Sequence, residues 1–159
     1  MILYFLRHGL AEDRDTWKED DALRPLTDKG SQQMERIAET ISDLVPDLDA
    51  ILTSPLVRAR QTAQIVAEKL GMEESLVEDA RLSPGFGMDE LVQIIEEQAT
   101  AEGLILVGHE PDFSQLVSQL IGGGRLVFKK GGLGRVDLVS SNPLQGELVW
   151  LIAPKILSH

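Results

Sequence analysis

Cysteine is absent from all 159 residues, which removes disulfides, thiol nucleophiles and every cysteine-ligated metal or cluster from consideration. A reducing compartment fits this, and the cytoplasm is the expected location. No apolar run approaches the roughly 20 residues of a membrane-spanning helix. The opening stretch Met1-Ile2-Leu3-Tyr4-Phe5-Leu6 carries no basic leader and runs straight into Arg7, so it is too short for a signal-peptide core. Positive charge is also scarce. With 15 basic against 26 acidic residues the net charge is -11, and neither nucleic acid nor an anionic membrane is an expected partner. An anionic ligand would need a local basic pocket. Internal repeats and low-complexity tracts are missing, and the glycine runs Gly122-Gly123-Gly124 and Gly131-Gly132 are short enough for loops. What is present is ordinary globular composition, 43% hydrophobic and 26% charged, at a length typical of one unit, so residues 1–159 are read as a single domain. Nothing in the sequence indicates an oligomeric state.

Charge is unevenly spread. Residues 1–124 hold 24 acidic and 10 basic side chains, net -14, whereas residues 125–159 hold 2 acidic and 5 basic, net +3. The less acidic end reads as a final hairpin of the same domain.

Apolar patterning alternates between strand and helix. Ile2 to Leu6 is a continuous apolar run, the mark of a strand buried on both faces. Arg7 to Pro25 is acidic and without helical period, hence a surface loop. Thr27 caps a helix lined by Met34, Ile37, Ala38, Ile41, Leu44 and Val45, which ends before Pro46. Ala50 to Thr53 is a short strand. Ser54-Pro55 then reads as an N-cap with proline in the first helical position, and Ala59, Ala63, Val66 and Leu70 line that helix up to Gly71. Leu76-Val77 is a short strand, Met88 to Ala99 an amphipathic helix, and Leu104 to Val107 another buried strand. Phe113, Leu116, Val117, Leu120 and Ile121 form the next helical stripe. Strands near Val136 to Val139 and Leu148 to Ile152 flank a turn at Ser141-Asn142-Pro143. This alternation predicts an α/β fold with a mainly parallel sheet covered on both faces.

Two of the three histidines, His8 and His109, fall just beyond the C-terminal ends of predicted strands, where ligands bind in open α/β sheets. Arg7 precedes His8, and Arg58 lies in the first turn of a helix that also starts at a strand end. Forked guanidinium donors match phosphate oxygens, and a neutral imidazole can attack phosphorus as a nucleophile. The set is suited to a phosphoryl group. A metal site is disfavoured because Arg7 and Arg58 would repel a cation and no third ligand motif is evident. Arg60 lies about 200° round the helix from Arg58 and reads as a surface residue. Glu110 is given no chemistry.

Leu6-Arg7-His8-Gly9, then Thr53-Ser54-Pro55-Leu56 running on through Arg58-Ala59-Arg60-Gln61-Thr62-Ala63, then Val107-Gly108-His109-Glu110-Pro111, resemble in this order the histidine phosphatase superfamily, also called phosphoglycerate mutase-like. The resemblance covers nearly the whole chain. Short length and Arg24-Pro25-Leu26-Thr27 after a brief loop are most similar to SixA-type phosphohistidine phosphatases. The resemblance implies a three-layer α/β/α fold, His8 as phosphoryl-accepting nucleophile, Arg7, Arg58 and His109 holding the phosphate, and Arg24 as a further phosphate contact. No metal or organic cofactor is called for.

Superfamily members that cleave phosphate esters generally place a carboxylic acid between the second arginine and the second histidine, to protonate the leaving oxygen. The candidates here are Glu78, Asp79, Asp89 and Glu90, with Glu78 and Asp79 nearest a strand end. That region is short, and a phosphorus–nitrogen bond makes less demand on a dedicated acid. The expected substrate is therefore phosphohistidine on a protein. A small phosphate ester handled by a phosphomonoesterase or phosphosugar mutase is the alternative, and a phosphate-binding domain without turnover is a further one.

Overall fold

The computed structural model describes residues 1–159. Six strands form one sheet in the order β3-β2-β4-β1-β5-β6: β1 (Ile2–Arg7), β2 (Ala50–Thr53), β3 (Leu76–Glu78), β4 (Gly103–Gly108), β5 (Leu133–Ser141) and β6 (Leu144–Ile152). β1 to β4 pair in parallel, and β5 and β6 add an antiparallel hairpin beside β1. Five helices cover the faces: α1 (Asp28–Leu44), α2 (Val57–Leu70), α3 (Met88–Glu97), α4 (Asp112–Leu120) and α5 (Pro154–Leu157). This is the phosphoglycerate mutase-like three-layer architecture. No helix is long and apolar enough to cross a membrane.

The continuous apolar runs of β1 and β4 are explained by burial on both faces. Successive strand side chains point to opposite sides, so Tyr4, Leu6, Ile105 and Val107 pack under α1 and α2 with Met34, Ile37, Ala59 and Ala63. Leu3, Phe5, Leu104 and Leu106 pack instead under α3 and α4 with Leu91, Ile94, Phe113 and Leu116. Neighbouring strands β1 and β4 are in register from Ile2 opposite Gly103 to Arg7 opposite Gly108. The chain leaves β1 for α1 on one face and leaves β4 for α4 on the other. That divergence opens a crevice beyond their C-terminal ends, the general ligand position in such sheets.

Most predicted elements match within two residues; the start of α2, the two hairpin strands and the unpredicted α5 are the points of difference. The helix after β2 begins at Val57 rather than at Pro55, because the Ser54 hydroxyl accepts the Leu56 N–H at 3.2 Å and holds residues 54–56 in a turn. The hairpin strands start earlier and run longer than their apolar patches, since Gly134 and Gly146 interrupt the alternation. The short α5 had no periodic signal; its Leu157 fills a place among the α1 side chains.

Candidate active site

A cleft of about 760 Å³ opens over the ends of β1 and β4, and Arg7, His8, Arg24, Arg58 and His109 all line it. All five singled-out side chains therefore share one cavity. His8 and His109 are 5% and 3% exposed, with ring centroids 5.4 Å apart. Arg24 is buried as well, contrary to the solvated charge expected of a loop arginine. The loop from Arg7 to Pro25 is otherwise largely exposed, but it folds back through a bridge between Ala11 and Leu26.

Backbone geometry sets the state of His8. Its Nδ1 lies 2.8 Å from the Gly9 carbonyl, an acceptor only, so Nδ1 carries the hydrogen and Nε2 keeps its lone pair. Gly9 is required for close approach: a Cβ there would stand 2.7 Å from Met34 Cγ on α1. The Gly9 N–H donates to Thr62 Oγ1 at 3.0 Å, and that hydroxyl donates to the Arg58 carbonyl at 2.8 Å. Thr62 thereby ties the His8 loop to α2.

Ser54 does the corresponding work for His109. Its Oγ is 2.7 Å from His109 Nε2. That hydroxyl touches only the Leu56 N–H, which is a donor, and His109 Nε2, so Nε2 is the one acceptor in reach of its hydrogen, and the N–H of His109 then sits on Nδ1. Nδ1 is buried and unpartnered, as are the Nε atoms of Arg7 and Arg58. Buried donors ordinarily have acceptors, and three orphaned donors in one basic cleft suit the oxygens of a phosphoryl group.

Asp21 organises the arginines. Its carboxylate accepts from Arg24 Nε and from Arg58 Nη2, each at 3.0 Å, and its carbonyl accepts from Arg58 Nη1 at 2.8 Å. Burial alone would raise this carboxyl, but the hydrogen bonds and charges of Arg24 and Arg58 together hold it below the usual range. Arg24 Nη1 also donates to the Glu12 carbonyl, and Arg7 Nη1 to the Phe128 carbonyl, both at 2.8 Å.

Both imidazoles are neutral in the folded protein, chiefly through burial. His8 is pushed down to about 3, against its bond to Gly9 and with the help of His109, Arg58 and Arg7. His109 is pushed down to about 4, Arg58 adding to the effect and Asp21 opposing it. The unfolded chain takes up these protons near the ordinary value of 6.5, so acid favours unfolding. Nothing is lost above that pH, and stability falls as pH drops from there toward 3. At about pH 5 the cost is about 2 kcal/mol per histidine. Denaturant unfolding from about pH 7.5 to about pH 5 should therefore show His8→Asn losing about 2 kcal/mol less stability than wild type. Equal losses would mean that His8 is charged in the folded state.

Residues 3–100 match the Histidine phosphatase superfamily (branch 1). The chain belongs to that superfamily. An uncharacterized protein of Picosynechococcus sp. is 36% identical, the alignment covering 99% of both chains. Phosphohistidine phosphatase SixA of Escherichia coli K12 is 27% identical over 97% of this chain and 94% of its own. The solved structure of the protein histidine phosphatase SixA complexed with tungstate superimposes with a TM-score of 0.87 at 24% identity, over 99% of both chains, a likeness of fold.

The four carboxylates weighed as leaving-group acids do not line the cleft of this histidine phosphatase. Glu78 faces Arg60, 3.8 Å away, beside a different surface hollow. Asp79 is locked by Arg81, with the shortest contact at 2.6 Å. Glu90 accepts the Gly87 N–H ahead of α3, and Asp89 is exposed. Two strands, β2 and β4, separate β3 from β1 in the sheet, so its C-terminal end falls outside the crevice. Sequence reasoning missed the lining residues Glu12, Asp13, Arg14 and Lys130 and the supports Asp21, Ser54 and Thr62, and Glu110, which it gave no chemistry, lines the cleft as well. Ser54 was the most accessible of these, since it ends a strand as His8 and His109 do.

Proposed function

We propose that this histidine phosphatase removes the phosphoryl group from phosphohistidine on a protein, through a phosphohistidine intermediate of its own at His8. The observation that carries the reading is the neutral His8 imidazole, its Nδ1–H on the Gly9 carbonyl and its Nε2 lone pair free in an arginine-lined cleft. Nε2 attacks phosphorus in line. Arg7, Arg58 and the Nδ1–H of His109 meet the equatorial oxygens, where charge grows in the transition state, and Arg24 is a further contact. Water then displaces phosphate from His8. Throughout, His8 keeps its Nδ1 hydrogen and need neither gain nor lose a proton.

The protein substrate is supported by the width of the mouth. Of the stretch from Glu78 to Glu97, only Pro84 reaches the cleft wall, so no roof closes over a small ester from that side. A phosphomonoesterase is the second reading, favoured by Glu12, Asp13 and Glu110 on the same cleft. Rates on a phosphohistidine protein, a phosphosugar and a phosphonucleotide separate the two. The phosphohistidine protein should lead in kcat/KM by at least about a hundredfold, because its phosphorus–nitrogen bond cleaves readily while no carboxyl group between Glu78 and Glu97 reaches the cleft to protonate an ester oxygen. A phosphosugar equal to or better than it would transfer the assignment to the esterase.

A further inference from the structure

The backbone that carries Lys130 is firmly held against the active site. The turn that carries it is fastened to the nucleophile loop: the Gly131 N–H reaches the carbonyls of Arg7 and His8 at 3.1 and 3.0 Å, and the Arg7 N–H donates to the Gly132 carbonyl at 3.1 Å. On the other side of Lys130, the Phe128 carbonyl takes Arg7 Nη1. Lys130 lines the cleft, is exposed where the arginines and histidines of the floor are buried, and enters none of the ion pairs. In-line attack from a buried His8 sends the leaving group toward that exposed mouth.

Three other protic groups at the mouth are less suited to giving a proton. Arg14 is a guanidinium, which stays charged, and it lies 3.9 Å from Asp21. Glu110 stands near Arg7 and accepts the Ser114 N–H at 2.8 Å. Asp13 accepts the Asp15 N–H at 2.8 Å. Partial burial, then Arg7 and Arg24, hold the Lys130 ammonium below the ordinary lysine range; Asp13 opposes this and Arg58 adds to it. A charged amine that releases its proton more readily than usual suits general acid work.

We propose that Lys130 protonates the leaving atom, and afterwards accepts a proton from the attacking water. The proposal rests on the two-step reading above. As the bond from His8 Nε2 to phosphorus forms, the bond to the leaving nitrogen or oxygen breaks. The leaving atom keeps the electron pair and takes a proton from Nζ, which becomes a neutral amine. In the second step water bonds to phosphorus and gives one proton to Nζ, and Nε2 recovers its lone pair. The amine is restored to ammonium and no other group changes protonation.

Lys130→Arg is the informative variant, since it preserves the charge and removes the readily released proton. Wild type, Lys130→Arg, Glu12→Gln and Asp13→Asn are compared on phosphohistidine protein and on aryl phosphates from a nitrophenyl ester to the phenyl ester, with the phosphoryl-enzyme measured in parallel. Lys130→Arg should lose about 30-fold or more in kcat on the phenyl ester and less than about 3-fold on the nitrophenyl ester, with KM within about 3-fold, as for a lost general acid. An equal loss on every leaving group, no loss, or a selective loss in Glu12→Gln or Asp13→Asn instead would overturn the assignment. If phosphoryl-His8 still forms in those cases, only the role of Lys130 fails; if it never forms in wild type, the two-step reading fails first.

Discussion

His8→Asn should turn over substrate at less than about a hundredth of the wild-type rate while keeping its fold. Deleting a nucleophile removes the covalent path itself rather than one contact within it. The fold should persist because His8 lies past the end of β1, and its loop is held by backbone and Thr62 contacts that an asparagine leaves in place. Substrate binding should also survive in part, since Arg7, Arg58 and His109 remain. Steady-state rates with thermal unfolding of the same preparation check both halves. A folded variant retaining more than a hundredth of the rate would refute covalent catalysis by His8.

Arg58→Met is expected to lower kcat by about 10²–10³, the usual cost of one preorganised donor at developing charge. The side chain is 3% exposed, its Nε has no partner, and both its Nη atoms are spent on Asp21. Its orientation is thus fixed before substrate arrives. Arg58→Lys should recover little, because a single ammonium cannot hold Asp21 at two atoms and face the phosphoryl group as well. Kinetics of both variants decide this. A lysine variant within about threefold of wild type would show that charge alone, without the fork, suffices.

The sheet was legible because β1 and β4 are buried on both faces, and their side chains leave no other reading of Ile2 to Leu6 or Leu104 to Val107. Strand-end logic then found His8 and His109, which directly follow the adjacent strands β1 and β4. The same logic misled for Glu78 and Asp79, since a sequence does not reveal that β3 is an edge strand remote from β1. Arg24 and Asp21 look like loop charges in isolation, and only the folding of residues 11–26 across the cleft buries the arginine and gives the carboxylate two guanidinium partners. Ser54 carried a real local signal that was read too locally. It does accept a backbone N–H after β2, but the hydrogen that matters to the site goes to His109, 55 residues away. Lys130 had no pattern at all, because its place depends on long-range backbone bonds to Arg7 and His8.

The covalent step is tested most directly by mass spectrometry of enzyme quenched at alkaline pH during turnover of a phosphohistidine protein, conditions under which a phosphoryl–imidazole bond survives. The two-step account predicts one added phosphoryl group, located on His8 and absent from His8→Asn. Phosphate release at the normal rate with no phosphorylated enzyme at any time, or a phosphoryl group on another residue, would contradict it.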